Sequence, residues 1–295
     1  MRLILLATVG LVAGLVLGGC VVSGRGGNPR PQRAVVQNTG SDTMLNLALA
    51  WAEAYRDVAP DVAVVVTGGG SGTGIAGLLN GTVDIANASR ALKAEEIASA
   101  RAVGREPLEH QVAIDALAVI VHRRNPVSAL TIPQLADIFT GRVRNWRELG
   151  GLDGPIVPVS RETNSGTHVY FLERVVRGGD DGNRDILAPH ALLMPSSVGI
   201  TSEVRRNPNA IGYDGLGYVS PEHERILAIA QTAAGPFVMP SSATASDGTY
   251  PLSRPLFMEA DRHPPAAVAA YLAWIVGPEG QALVDDLGFV PIHVE

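Results

Sequence analysis

Short runs of apolar, β-branched residues alternate along this chain with longer stretches in which apolar residues recur every three or four positions. Val64-Val65-Val66-Thr67 predicts a buried strand, and Ile75, Leu78 and Leu79 predict the helix after it. Between them lies Gly68-Gly69-Gly70-Ser71-Gly72-Thr73-Gly74, a sharp turn of hydroxyls and bare amides. Gln37 to Met44, followed by Leu45, Leu49, Ala52 and Tyr55, predicts a second strand-to-helix turn, in which Asp42 is an N-cap by type. Val157 to Arg161, then Asn164-Ser165-Gly166-Thr167 and the apolar Val169, Phe171, Leu172 and Val175, predicts a third.

The remaining pattern fills in around these turns. Val83 to Arg90 predicts a short buried strand ending in polar residues, and Lys93 to Ala102 a helix. Asp115 to His122 is nearly continuous apolar residue, hence a central strand, broken by Arg123-Arg124-Asn125-Pro126. Leu130 to Gly141 predicts a capped helix with Pro133 in its first turn. Arg177 to Ser196 predicts a long, exposed polar connection. Ser197 to Arg206 is expected to be helical, Asn209 to Tyr213 and Arg225 to Ala230 to be strands, and Pro251 to Met258 to be extended. Ala266 to Ile275 and Gly277 to Leu287 close the chain as helices, and no internal repeat is visible. Alternating strands and helices predict an α/β fold with mostly parallel strands, in which ligands sit beyond the carboxyl ends of the strands.

A Ser or Thr before an apolar run is ordinarily only a cap. Three such turns at the same strand edge point further. Glycines let backbone N–H groups approach a ligand, and the first turn of a helix has unpaired donors and the positive end of the macrodipole. Such places suit an anion.

Met1-Arg2, the apolar run Leu3 to Leu17 and Gly18-Gly19-Cys20 have the form of an export signal, residues 1–19, too short to span a bilayer comfortably. Cys20 is the only cysteine, and its place resembles the lipobox of bacterial lipoproteins, which makes it the expected lipid attachment point. Residues 20–33, rich in Gly, Ser and Pro, are then a flexible tether. The formal charge is −6, and loss of Arg2 with the leader makes it −7. That argues against a nucleic-acid partner but not against a small anion held by local amides and hydroxyls.

Gly40-Ser41-Asp42-Thr43, Gly70-Ser71-Gly72-Thr73-Gly74, Asp84 to Arg90, Leu130 to Gly141 and Arg161 with Asn164-Ser165-Gly166-Thr167 together resemble the PstS-type phosphate-binding proteins of bacterial ABC importers. The likeness runs from about Val35 to Ile292. It implies a two-lobed periplasmic-binding-protein fold of type II, with a ligand cleft between lobes joined by two crossover strands. With the crossings placed at the observed breaks, residues 34–122 plus 249–295 form one lobe and 123–248 the other.

Carried over by position, the resemblance implies phosphate contacts from Ser41, Asp42, Thr43, Ser71, Gly72, Thr73, Ser89, Arg161, Ser165, Gly166 and Thr167. Where well-known members have an aspartate after the second strand, this chain has Ser89 and Arg90. Asp42 then becomes the expected acceptor for the ligand's proton. The implied protein is exported, anchored by lipid outside the bacterial cytoplasmic membrane or in the periplasm, monomeric and without cofactor or metal. Its implied partners are inorganic phosphate and ABC transporter permease subunits.

Two other functions stay open. A receptor for sulfate or molybdate would use the same turns, and an exported phosphoester hydrolase would need His168, beside Thr167, as acid or base. Against an enzyme, Gly72 to Gly77 does match G-x-G-x-x-G but that motif is weak by itself, no P-loop or G-x-S-x-G elbow appears, and the seven histidines lack metal-ligand spacing.

Overall fold

The computed structural model describes residues 33–292; the expected leader, Cys20 and the tether up to Gln32 lie outside the described residues. One curled sheet runs through the described chain, in the order β2 (Val62–Thr67), β1 (Ala34–Gly40), β3 (Ile85–Ala88), β11 (Ser253–Asp261), β4 (Pro107–His122), β8 (Ala210–Gly215), β6 (Val157–Arg161), β7 (Leu192–Met194), with β9 (Glu224–Ile226) paired to β4. Its first half holds β1 (Ala34–Gly40), β2 (Val62–Thr67) and β3 (Ile85–Ala88), all parallel, so their carboxyl ends share one edge. Helices α1 (Leu45–Val58) and α2 (Ser71–Asn80) connect them, and α3 (Ala94–Ala102) follows β3. Trp51, Tyr55, Ile85, Tyr271 and Phe289 belong to the apolar core of this half.

β4 (Pro107–His122) belongs to both halves. Its first part pairs antiparallel with β11 (Ser253–Asp261), and Leu117 to Val121 pair with β8 (Ala210–Gly215). Val112 and Ala113 lie in the first core, whereas Ala116 and Leu117 lie in a second core with Phe139, Phe171 and Tyr213. β11 changes cores in the same register, between Leu252 and Leu256. The second half adds β5 (Ala129–Thr131), α4 (Ile132–Thr140), β6 (Val157–Arg161), α5 (Gly166–Phe171), β7 (Leu192–Met194) and α6 (Ser197–Arg206). β9 (Glu224–Ile226), β10 (Ala228–Ala230) and α7 (Ser242–Ser246) complete it, and α8 (Ala266–Ile275) and α9 (Pro278–Asp286) return to the first half.

Several expectations need correction. The segment from Arg225 to Ala230 is not one strand: β9 joins β4 and β10 joins β5, because the intervening Leu227 turns inward and is wholly buried. The connection from Arg177 to Ser196 contains β7, parallel to β6; three edge residues with exposed leucines carry no alternation by which to detect them. β4 begins eight residues before Asp115, where Glu109, His110 and Gln111 are polar but held by β11. The expected helix from Leu130 does form as α4, capped reciprocally by Thr131 and Gln134 with Pro133 in the first turn.

Gly40 ends β1 and turns the chain toward Ser41. Its φ is 145°, and a Cβ there would collide with the carbonyl oxygen of Asn87 on β3. Gly40→Ala is therefore expected to lower stability by about 1–3 kcal/mol, the usual cost of a forced backbone conformation. Urea unfolding of the two proteins measures this, and equal midpoints would mean that the turn relaxes freely.

Candidate functional site

The three parallel strand ends set the first wall of the site. Thr39 of β1 stands opposite Thr67 of β2, and Gly40 opposite Asn87 of β3, so Ser41, Gly68 to Ser71 and Ser89 emerge side by side. Ser41 Oγ donates to Ser89 Oγ at 3.1 Å, Ser71 Oγ lies 3.2 Å from Ser89 Oγ, and Ser71 Oγ accepts from Ser89 N at 3.1 Å. All three serines are buried. Gly70, with φ of 88°, precedes the first residue of α2, and only a glycine permits that entry.

The second half supplies the opposite wall. Ser165 caps α5 by accepting from Thr167 N and His168 N, which brings Gly166 and Thr167 against the serines. Gly166 approaches so closely that a Cβ would collide with Ser71 Oγ and lie 2.7 Å from Ser89 Oγ. Thr167 Oγ1 meets Thr43 Oγ1 at 2.8 Å. Asn164 bridges the halves twice, donating from Nδ2 to Gly69 O at 2.8 Å and accepting from Gly72 N at 2.9 Å.

Arg161, at the end of β6, is 1% exposed and reaches Asp42 at 2.7 Å. Its other bonds go to Ser197 Oγ at 3.2 Å and to the carbonyls of Met194 and Pro195. Among the described residues, those four bonds leave one of the five guanidinium N–H groups without a partner. Asp42 is not the N-cap of its helix: Ser41 holds that position, and the Asp42 carboxylate instead accepts from Gly69 N at 3.2 Å and from Arg161.

Ser41, Asp42, Thr43, Ser71, Ser89, Arg161, Ser165, Gly166 and Thr167 thus lie in one cluster. Gly72 and Thr73 differ: the Gly72 amide is bonded to Asn164 O, and the exposed Thr73 donates its hydroxyl back to Gly69 O at 2.6 Å. His168 is tied to the backbone, its Nδ1 lying 3.0 Å from Arg161 O, and burial holds its pKa below the ordinary histidine value. A cavity of about 730 Å³ opens elsewhere, lined by Arg123, Leu216, Arg225 and Met239, and none of the clustered residues lines it.

The structure adds residues that the pattern did not single out. Arg254 on β11 and Asp115 on β4 face each other in register where both strands change cores, with Arg254 Nη2 2.8 Å from Asp115 Oδ2. Arg254 also donates to Ser89 O at 3.1 Å and to Thr167 Oγ1 at 3.0 Å, so it touches both walls. Behind Arg161, Ser197 Oγ donates to Asp214 Oδ1 at 2.9 Å. Tyr218 donates its hydroxyl to Asp42 O at 2.8 Å. A lone charge inside an apolar strand was the available signal for Asp115 and Arg254, because such residues are rarely buried unless paired.

Two halves of an α/β sheet, joined by paired crossover strands and meeting through polar turns, define a two-lobed solute-binding protein. Comparison with known proteins agrees. A family model described as PBP superfamily domain matches residues 27–279. The phosphate-binding protein PstS of Pseudomonas aeruginosa is 32% identical over 275 residues, covering 87% of this chain and 83% of that protein. A Clostridium perfringens structure described as a phosphate ABC transporter substrate-binding protein with bound phosphate superposes with a TM-score of 0.79 at 32% identity, covering 88% of this chain and all of that one. An ABC-type phosphate transport receptor from Vibrio cholerae gives a TM-score of 0.70 at 28% identity, covering 87% of this chain and all of that one. The chain belongs to the PBP superfamily and, within it, to the PstS-type phosphate-binding proteins.

Asp115 and Arg254 are both buried, so truncating one strands the other's charge. Arg254→Met should cost about 3–5 kcal/mol of unfolding free energy, as removal of one partner of a buried pair does. Adding Asp115→Asn to it should recover part of that loss. Chemical denaturation of both variants tests the coupling, and a double variant no more stable than Arg254→Met would refute it.

Proposed function

We propose that this chain is an extracytoplasmic receptor that binds inorganic phosphate and delivers it to the permease of an ABC transporter. The observation that carries the reading is the meeting of Gly166 with Ser71 and Ser89: serine hydroxyls of one half and the start of α5 from the other converge on one buried point, with Arg161 bonded to Asp42 in the same cluster. Relatives named for phosphate binding share this fold over nearly the whole described chain.

In this reading Ser41, Thr43, Ser71, Ser89, Ser165, Gly166, Thr167 and Arg161 hold the anion, and Asp42 accepts its proton. Gly72 and Thr73 serve the turn and the contact with Asn164. The lobes are residues 34–122 plus 249–295 and residues 123–248, and the ligand stabilises their closure because it binds the closed state better. The protein works as a monomer, without a cofactor or metal and without catalysing a reaction. With His168 Nδ1 engaged by Arg161 O, nothing in the cluster favours a hydrolase.

Phosphate and sulfate have similar shapes, but only phosphate carries a proton near neutral pH. A carboxylate at Asp42 rewards that proton and leaves sulfate facing unpaired negative charge. Asp42→Asn keeps an oxygen for Gly69 N and loses the charge. Its preference for phosphate over sulfate should fall by about 1–3 kcal/mol, the cost of leaving a buried polar group unpartnered. Calorimetric titration with both anions decides this: an unchanged ratio removes Asp42 from the role, and a parent protein that binds neither anion removes the whole reading.

The receptor is held at the membrane by lipid on Cys20, with residues 20–33 as the tether. Cys20→Ser should abolish partitioning into detergent while leaving phosphate affinity unchanged. If the parent protein already stays in the aqueous phase, the anchor does not exist.

A further inference from the structure

Five charged side chains lie in or directly behind the cluster: the carboxyls of Asp42, Asp115 and Asp214 and the guanidinium groups of Arg161 and Arg254. Four of them are buried almost completely, and Asp42 nearly so. Arg90 adds nothing to the sum, because Glu96 neutralises it at 2.7 Å. Three negative charges face two positive ones before any anion arrives. In a medium of low effective dielectric, a further dianion would meet a large repulsion unless a proton came with it.

The three carboxyls differ in what is bonded to them. Asp115 accepts two N–H bonds from Arg254 on the same oxygen, and Asp42 accepts directly from Arg161. Among the described residues, no guanidinium is bonded to Asp214. Its Oδ1 accepts from Ser197 Oγ and Gly215 N, and among the described residues its Oδ2 has no partner. The groups that act on it are Arg161 through Ser197, Asp115 on β4, and Tyr218 in the turn after β8; Asp42 and Arg254 lie beyond these.

We propose that Asp214 is a proton-linked positioning residue of this site: it takes up a proton as a tetrahedral oxyanion enters, and acts on the anion through Ser197 and Arg161. The inference rests on the phosphate-receptor reading and deepens it. Burial already raises the Asp214 pKa to about 6, against the pull of Arg161, so a new negative charge has little distance to move it. The sign follows from linkage. Above pH 6 the empty site holds Asp214 ionised and the filled site holds it protonated, so affinity falls as pH rises. Below pH 6 the proton is present in both states and the dependence flattens.

The test is calorimetric titration of the full chain with inorganic phosphate at pH 7.5 in several buffers of different ionisation enthalpy. The dependence of the measured heat on buffer counts protons taken up, including any that belong to phosphate itself. The parent should take up more than Asp214→Asn, by close to one proton per phosphate, and its affinity should fall by up to about tenfold more per pH unit above neutrality. Ser197→Ala supplies a second variant should the first not fold. Losing its donor raises the Asp214 pKa further, so the carboxyl is protonated before phosphate arrives and the count drops again. A purely structural role for either residue would lower affinity or stability and leave the proton count as it is in the parent. A count equal to the parent's in whichever variant folds overturns the inference. A parent that shows no phosphate binding, by heat in any buffer or by competition with a second anion, overturns the receptor reading instead.

Discussion

The ion pair between Asp115 and Arg254 sits where the two crossover strands pass from one half into the other. The strands run side by side from one apolar core into the next, and the pair is buried between them. A register pair of opposite charges, wholly buried, fixes how β4 and β11 lie against each other at that point. Such a pair adds little net stability once desolvation is counted, but it tolerates few arrangements. The same guanidinium reaches Ser89 O on one side and Thr167 Oγ1 on the other. The position of both binding walls is therefore referred to the crossing itself, and a change of angle between the halves must be felt at Ser89 and Thr167.

Most of the site is built from hydroxyls, and that choice has a physical reason. A hydroxyl can donate or accept and can rotate between the two roles. Ser41, Ser71 and Ser89 bond to one another, as do Thr43 and Thr167, so none is left unpaired when the halves close on themselves. The same groups can turn their hydrogens toward an anion without first breaking a salt bridge. Fixed positive charge comes from Arg161, held from several sides, and from Arg254, paired with Asp115 behind both walls. Adaptable neutral donors then supply contact, and the two rigid cations supply direction.

The three turns were legible in the sequence because glycine, hydroxyl and apolar periodicity coincide there, and each coincidence has a local cause. The serine, threonine and arginine positions followed from the resemblance that those turns carry, and the structure gathers all of them but Thr73. What was not legible depends on partners remote in sequence. Asp42 looks like a cap by type, and only the approach of Arg161, 119 residues away, gives its carboxylate another partner. Gly72 looks like a free helix-start amide until Asn164 O meets it. Asp214 stands in an unremarkable Gly-Tyr-Asp-Gly run, and nothing in that run reports Ser197 or Arg161. β7 was hidden for the opposite reason: an exposed edge strand of three residues carries too little pattern to be seen.

Two buried carboxyls show how finely the surroundings of the site are set. Glu259, on β11 beyond Arg254, is wholly buried, and among the described residues neither of its carboxyl oxygens has a partner. Burial first, and then the nearby Glu109, push its pKa up to about 9, so it is neutral near pH 7 and carries no charge for anything to feel. Asp214 is buried as deeply, yet Arg161, Gly215 N and Ser197 hold it back to about 6. Removing water alone would have made it as inert as Glu259. The donors around it return enough of the lost solvation to keep it ionised near neutral pH, while its bare Oδ2 keeps it within reach of a proton. A carboxyl poised in this way responds to a charge placed on the far side of Arg161, and one that is merely buried does not.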